Sequence, residues 1–191
     1  MEKRPVKESR KTRYTKMVIR NSLIELMRSR PITSVTVKEI CDFADVSRPA
    51  FYTHYKDQYD LLQSIERETS SYFENAVFAN KTKKMGAPGI RQLIEDVLLY
   101  IETNNDSVQV LLSENGDIDF QKKIFLRFVV YLQYMMKNYS KKNLAEEQNE
   151  YYSIYTVNGI IAVVHHWLKS GMKMPKHELA NMIIELMGAI F

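Results

Sequence analysis

Between Tyr14 and Arg28 the apolar positions Ile19, Leu23, Leu26 and Met27 fall at the one-face spacing of an amphipathic helix. Pro31 closes that helix, because the residue before a proline avoids helical backbone angles. Thr36 followed by Glu39 is a capping-box pattern, and Val37, Ile40, Cys41 and Ala44 then share the inner face of a short second helix. After Asp45 and Val46, Ser47 is placed to cap a third helix, with Pro49 in its first turn, where a missing N–H costs nothing. Phe51 and Tyr55, four apart on that helix, are core positions. Only the turn Ala44 to Ser47 separates the second helix from the third, so the two meet steeply in the helix-turn-helix arrangement. The third helix then protrudes, free to enter a major groove.

From Tyr59 onward the periods lengthen. Leu61, Leu62, Ile65, Tyr72, Phe73, Val77 and Phe78 predict one long helix from about Gln58 to Ala79. The charged, Gly- and Pro-containing stretch from Asn80 to Gly89 predicts a linker. Further helices are expected over 90–104, 107–114, 118–139, 147–170 and 176–190, punctuated by Asp106, Gly116, Ser140 and the segment Gly171 to Pro175. The predicted fold is all-α with about nine helices, a three-helix unit followed by a larger helical domain.

Composition narrows the class. The chain has 191 residues with 6 Gly and 5 Pro, too few turn residues for a many-stranded β fold. Cys41 is the one cysteine, which excludes an internal disulfide and any multi-cysteine metal site. No apolar stretch approaches the roughly 18 residues of a membrane span, and no apolar segment follows the basic N-terminus as in a secretory signal. A cytoplasmic protein without membrane association is expected. Net charge is +4, but residues 1–60 hold 13 Lys/Arg against 8 Asp/Glu, and the first 20 residues hold 8 against 2. Such concentration suits a polyanion, nucleic acid or an acidic membrane surface, although a solvated tail carries the same pattern.

The segment Thr36 to Leu62 resembles the tetracycline-repressor (TetR) family of bacterial regulators, whose pattern runs roughly T-V-x-x-I-A-x-x-A-G-V-S-x-x-x-x-Y-x-H-F-x-x-K-x-x-L-L. Thr36, Val37, Ile40, Ala44, Val46, Ser47, Tyr52, His54, Leu61 and Leu62 match in register, and with Ile19 and Leu23 the likeness covers about residues 14–62. Cys41 replaces the usual alanine, and Asp45 stands where glycine is common, although aspartate tolerates a left-handed turn. Gln58 replaces the usual lysine, which removes a charge near the phosphates; the N–H groups of a helix N-terminus can compensate.

The resemblance implies residues 1–57 as a DNA-binding domain with a basic arm, and 58–191 as an effector-binding and dimerisation domain. On double-stranded DNA, Arg48 is the candidate base reader, since arginine can grasp guanine O6 and N7 together. Ala50 and Thr53 can meet a thymine methyl or a base edge, with Ser47 and Pro49 beside them at the start of the helix. Tyr52, His54 and Lys56 suit positioning contacts to phosphate, and Thr36 and Lys38 a flanking phosphate. Arg10, Lys11, Arg13 and Lys16 can follow the backbone or enter the adjacent minor groove.

Residues 61–191 show no phosphate loop, nucleophile elbow or paired-His metal motif, so neither catalysis nor a metal or cofactor is expected. His165 and His166 point about 100° apart on a helix and are assigned to surface or interface. Tyr72, Tyr100, Phe125, Phe128 and Tyr131 can line a pocket for a partly apolar ligand, or simply fill a helical core. The stretch Ile154 to Leu168 is too apolar all round for a one-sided helix. Ile160, Ile161, Val164, Trp167 and Leu168, with Met182, Ile183 and Leu186 of the last helix, therefore predict a four-helix homodimer interface. Gly159 and Ala162 allow close approach there. A dimer places two reading helices on the order of 34 Å apart, as a palindromic operator requires. The expected function is a repressor that a small molecule releases from DNA. The pattern Trp167-Leu168-Lys169-x-Gly171 with Glu178-Leu179-Ala180 resembles a Gram-positive subset of the family, one branch of which acts as a coactivator with a kinase subunit. The alternative is therefore a regulator or activator whose C-terminal half binds a protein partner.

Overall fold

The computed structural model describes residues 9–83, 87–139 and 145–187, and these form nine α-helices and one short 3-10 turn. Helices α1 (Arg10–Met27), α2 (Val37–Ala44) and α3 (Arg48–Tyr52) build the N-terminal unit. The long α4 (Gln58–Lys83) leads out of it. Then follow α5 (Ala87–Thr103), α6 (Asn105–Leu111), α7 (Ile118–Tyr139), α8 (Glu146–Lys169) and α9 (Lys176–Met187).

The local signals for the first three helices hold, with two shifts of boundary. Ile19, Leu23 and Met27 of α1, Ile40 of α2 and Phe51 of α3 are fully buried against one another. Helix α1 starts earlier than its apolar pattern, at Arg10, because the Ser9 side chain accepts from the Thr12 N–H at 3.1 Å. Arg10, Lys11, Arg13 and Lys16 therefore ride on a helix rather than on an extended arm, while Lys3, Arg4 and Lys7 lie outside the described residues. Helix α3 ends at Tyr52, so Tyr55 is not on it. The predicted linker at 80–89 is shorter than expected. Helix α4 runs to Lys83, and Pro88 sits in the first turn of α5, where its ring fits; 84–86 lie outside the described residues. Ser140 and the predicted end of the last helix beyond Met187 also lie outside them.

In the larger half, α7 and α8 pack antiparallel. Asn149 Nδ2 donates to the Gln133 carbonyl at 3.2 Å, and Ser153 is fully buried beside Met136. Helix α9 lies on α5, and the short α6 bridges α1, α5 and α8. Gly116 makes the turn from α6 to α7 possible: a Cβ there would collide with the Leu111 carbonyl and come within 2.9 Å of the Val110 oxygen. The C-terminus of α8 closes through Gly171 (φ 75°), with the Gly171 N–H donating to the Leu168 carbonyl and the Met172 N–H to that of Trp167. The buried Trp167 indole then donates to the Met174 carbonyl at 2.7 Å.

Among the described residues, the buried Thr156 hydroxyl and the Glu66 carboxyl depart from the rule that buried polar atoms are paired, and the carboxyl carries the larger consequence. Glu66 of α4 is 8% exposed, and its Oε1 has no hydrogen-bond partner. Burial, and secondarily Asp117, push its carboxyl up from the ordinary 4.5 to about 7. The folded carboxyl thus holds its proton between pH 4.5 and 7 while the unfolded one has released it, so stability falls as pH rises through this window. Glu66→Gln stays neutral throughout. It is expected to exceed the parent in unfolding free energy at pH 8 by about 3 kcal/mol, with the gap narrowing towards pH 4.5, in denaturant titrations. Parallel pH profiles for the two proteins would contradict this account of Glu66.

Candidate nucleic-acid interface and cavity

The N-terminal unit presents one face shaped by its caps. Thr36 and Glu39 close the capping box of α2: the Glu39 N–H donates to Thr36 Oγ1 at 3.3 Å, and the Thr36 N–H donates to Glu39 Oε2 at 2.9 Å. The Thr36 hydroxyl donates to the same carboxylate at 2.7 Å and Arg30 donates to it at 2.8 Å, holding Glu39 down to about 2. Asp45 then takes the left-handed conformation (φ 50°, ψ 48°) and turns the chain, with the Val46 N–H donating to the Cys41 carbonyl. Ser47 Oγ accepts from the Ala50 N–H at 3.3 Å and starts α3.

That turn sets outward the residues that reach DNA in the sequence-based reading. Ser47, Arg48, Pro49, Tyr52, Thr53 and Lys56 are exposed, as are Thr36 and Lys38 on the neighbouring α2. Ala50 and His54 are half-buried. Lys38, Arg48 and Lys56 enter no ion pair among the described residues, whereas Arg20, Arg28 and Arg30 are each paired with a carboxylate. Tyr52 stands edge-on against Phe51, ring centroids 5.6 Å apart, with its outer side in solvent. Two hydroxyl protons are already committed, that of Thr36 to Glu39 and that of Thr53 to the Pro49 carbonyl at 2.9 Å. At the start of α4, Asp57 accepts from the Asp60 N–H at 2.8 Å. A carboxylate thus occupies part of the helix end that the Gln58 reading offered to phosphate.

The larger half encloses a cavity of about 360 Å³ between α5, α7, α8 and α9, with Val108 and Leu112 at its α6 side. Phe125, Phe128 and Tyr131 line it as the sequence suggests. Tyr72 and Tyr100 do not. Their rings stack at 4.1 Å behind the wall, with the Tyr72 hydroxyl donating to the Asp96 carbonyl and the Tyr100 hydroxyl to Thr69. Phe73 stands on the wall instead. Four residues assigned to a dimer interface, Ile160, Ile161, Val164 and Ile183, also line this cavity, and Trp167 and Leu168 are buried in the subunit core. The all-round apolar character of α8 therefore serves its own subunit on one side. Its outer stripe carries Tyr151, Tyr155, Gly159, Ala162 and His166, with Tyr155 78% exposed. On α9, Leu186 is 65% exposed and Met182 half-buried.

Sequence reasoning missed the α5 wall (Ile90, Leu93, Ile94, Val97), whose stripe spacing reads equally as core, and the polar rim of Gln121, Lys122, Asn158 and His165. It also missed what joins the two halves. Arg28, the C-cap of α1, donates to Glu25 at 2.8 Å and is ion-paired with Asp106 of α6, and Asn115 Nδ2 donates to the Arg28 carbonyl at 3.3 Å.

Known proteins share this organisation. A family described as bacterial regulatory proteins, tetR family, matches residues 19–65, and one described as transcriptional regulator C-terminal region matches 90–188. The chain is 20% identical over 172 residues to the uncharacterized HTH-type transcriptional regulator YxbF of Bacillus subtilis (strain 168). That match covers 89% of this chain, which spans 44% of the relative's length. In fold, a transcriptional regulator (TerR/AcrR family) from Aquifex aeolicus VF5 is similar, with TM-score 0.66, 23% identity and coverage of 93% of this chain and 99% of that one. The transcriptional regulator FadR from Bacillus subtilis, solved in complex with stearoyl-CoA, is similar at TM-score 0.63 and 15% identity, over 89% and 96% of the two chains. With both halves matched, the second over more than half the chain, this all-α protein belongs to the tetR family of bacterial transcriptional regulators.

Proposed function

We propose that the chain is a repressor that binds a palindromic operator as a homodimer and is released by a small molecule in the cavity. Residues 1–57 act as the DNA-binding unit and 58–191 as the effector and dimer unit. The observation that carries the reading is that α6 is shared between both. Val108 of α6 and its C-cap Leu112 form part of the cavity wall, and Asp106 of α6 is paired with Arg28 at the C-cap of α1. A ligand that binds a shape with α6 displaced more tightly than the operator-bound shape shifts the population towards release. Stearoyl-CoA in the FadR complex is a precedent for a ligand-binding neighbour of this fold. The cavity favours a small molecule over a protein partner as the effector, because a filled core would leave no internal volume for one.

On DNA, Arg48 reads a base, and Lys38 and Lys56 neutralise phosphates, since these cations are exposed and not engaged in ion pairs among the described residues. The dimer forms through the outer stripe of α8 and Leu186 of α9. A Cβ at Gly159 meets nothing within 4 Å in the subunit, so the glycine leaves room for a facing helix.

Four variants test the reading. After selection of the operator from genomic fragments, Arg48→Ala is expected to cost about 1–3 kcal/mol per half-site contact and to relax preference at that base. Lys38→Gln is instead expected to weaken all sequences alike and lower the salt slope by about 1; an unchanged sequence preference in Arg48→Ala would remove it as the reader. Arg28→Ala is expected to keep operator affinity within a few-fold while blunting ligand-induced release, measured by fluorescence anisotropy; full release in this variant would eliminate the α6 route. Gly159→Arg is expected to yield monomers by analytical ultracentrifugation with the subunit fold intact. A stable Gly159→Arg dimer would place the interface elsewhere.

A further inference from the structure

The cavity has a direction. Its exposed lining residues, Ile118, Lys122, Asn158 and Ile161, all come from the start of α7 and the facing part of α8, so the opening to solvent lies between these two helices. Its far end, at Ile90, Leu93, Ile94, Ile183 and Met187, is buried and wholly apolar. Apart from the buried Tyr131 hydroxyl, the polar lining groups are Gln121, Lys122, Asn158 and His165, and their hydrogen bonding sorts them. The Gln121 amide N–H₂ donates to the carbonyls of Leu111 and Ser113, both at 2.9 Å, and the Asn158 amide donates to the Ile154 carbonyl at 2.8 Å. Beside the second Asn158 N–H, that leaves the Lys122 ammonium, whose ion-pair contact among the described residues is Asp119 at 4.0 Å, and the imidazole of His165 as donors towards a ligand. No carboxylate lines the cavity among the described residues.

We propose that the cavity binds a single-chain amphiphile with an anionic head, a carboxylate or equivalent anion held at the opening by Lys122 and His165, and its alkyl tail directed inward against α5 and α9. The assignment deepens the reading of this cavity as the effector site. Volume bounds the tail. At about 360 Å³, and with a methylene taking on the order of 30 Å³, close to the liquid volume of one water, the cavity accommodates roughly a dozen chain carbons. A cationic amphiphile is disfavoured on two counts, because it would meet Lys122 and find no carboxylate on the wall. A neutral alcohol gains the burial of its tail but no charge-assisted hydrogen bond.

The test is calorimetric titration of the full chain with decanoate, decanol and decyltrimethylammonium, each below its micelle concentration. Decanoate is expected to bind about tenfold or more tighter than decanol, the worth of one charge-assisted hydrogen bond, and the ammonium compound weakest. The double variant Lys122→Gln/His165→Gln is expected to bring decanoate down to the level of decanol while decanol itself changes less than about twofold, a readout that general loss of folding would not give. Val97→Trp fills the middle of the cavity and is expected to abolish binding of all three with cooperative unfolding retained. Equal binding of decanol and decanoate by the parent, a carboxylate preference that survives the double variant, a preferred ammonium compound, or no binding by any probe would each overturn the proposal. Operator release is scored separately. Carboxylate-selective binding without release leaves this ligand class in place and overturns the repressor reading instead.

Discussion

Everything the N-terminal unit can do on DNA depends on one buried ring. Helix α3 is five residues long, far below the length at which a helix persists in water unaided, because its few hydrogen bonds cannot offset the cost of nucleation. It exists because Phe51 is fully buried in the core, with α3 packed on α2, and because Ser47 satisfies its first turn and Pro49 pre-sets the backbone there. With Phe51 fixed, Arg48 and Tyr52 have no choice but to face outward. The same ring thus couples core packing to the presentation of the outward-facing side chains, and α2, which packs on both α1 and α3, links the first helix to them.

The larger half obeys a complementary constraint. Helix α8 contributes side chains to α7, to α6, to the cavity and to an outer stripe, so its apolar residues serve several surfaces at once. A cavity among packed helices forgoes dispersion contacts that a filled core would have. The polar groups of the wall lie on α7 and α8, and α6 brings the wall within reach of α1. The cavity and the link to the N-terminal unit are thereby concentrated on a few helices.

Much of the N-terminal unit was legible because its signals are local. The capping box of Thr36 and Glu39, the left-handed Asp45 and the Ser47 cap each act over three or four residues, and each is found where its pattern placed it. The end of α3 was not legible, since no glycine or proline follows Tyr52 and the stop is made by Thr53 and His54 turning back onto Pro49 and Phe51. Pro88 misled for the opposite reason: proline breaks a helix interior but suits a first turn. In the larger half, apolar spacing identified the helices but could not tell a residue facing a cavity from one facing a partner, as Ile160, Ile161 and Val164 show. Arg28 and Asp106 are separated by 78 positions, and no local pattern marks such a pair.

The lone tryptophan carries a practical consequence. Trp167 is shut away from water at the end of α8, with its indole bound to the Met174 carbonyl, and no second indole exists in the chain to blur its emission. Its fluorescence is an intrinsic beacon for the larger half alone, blind to fraying of the N-terminal unit. Paired with a dye on the N-terminal unit, it allows the melting of the two halves to be timed against each other in a single unmodified backbone.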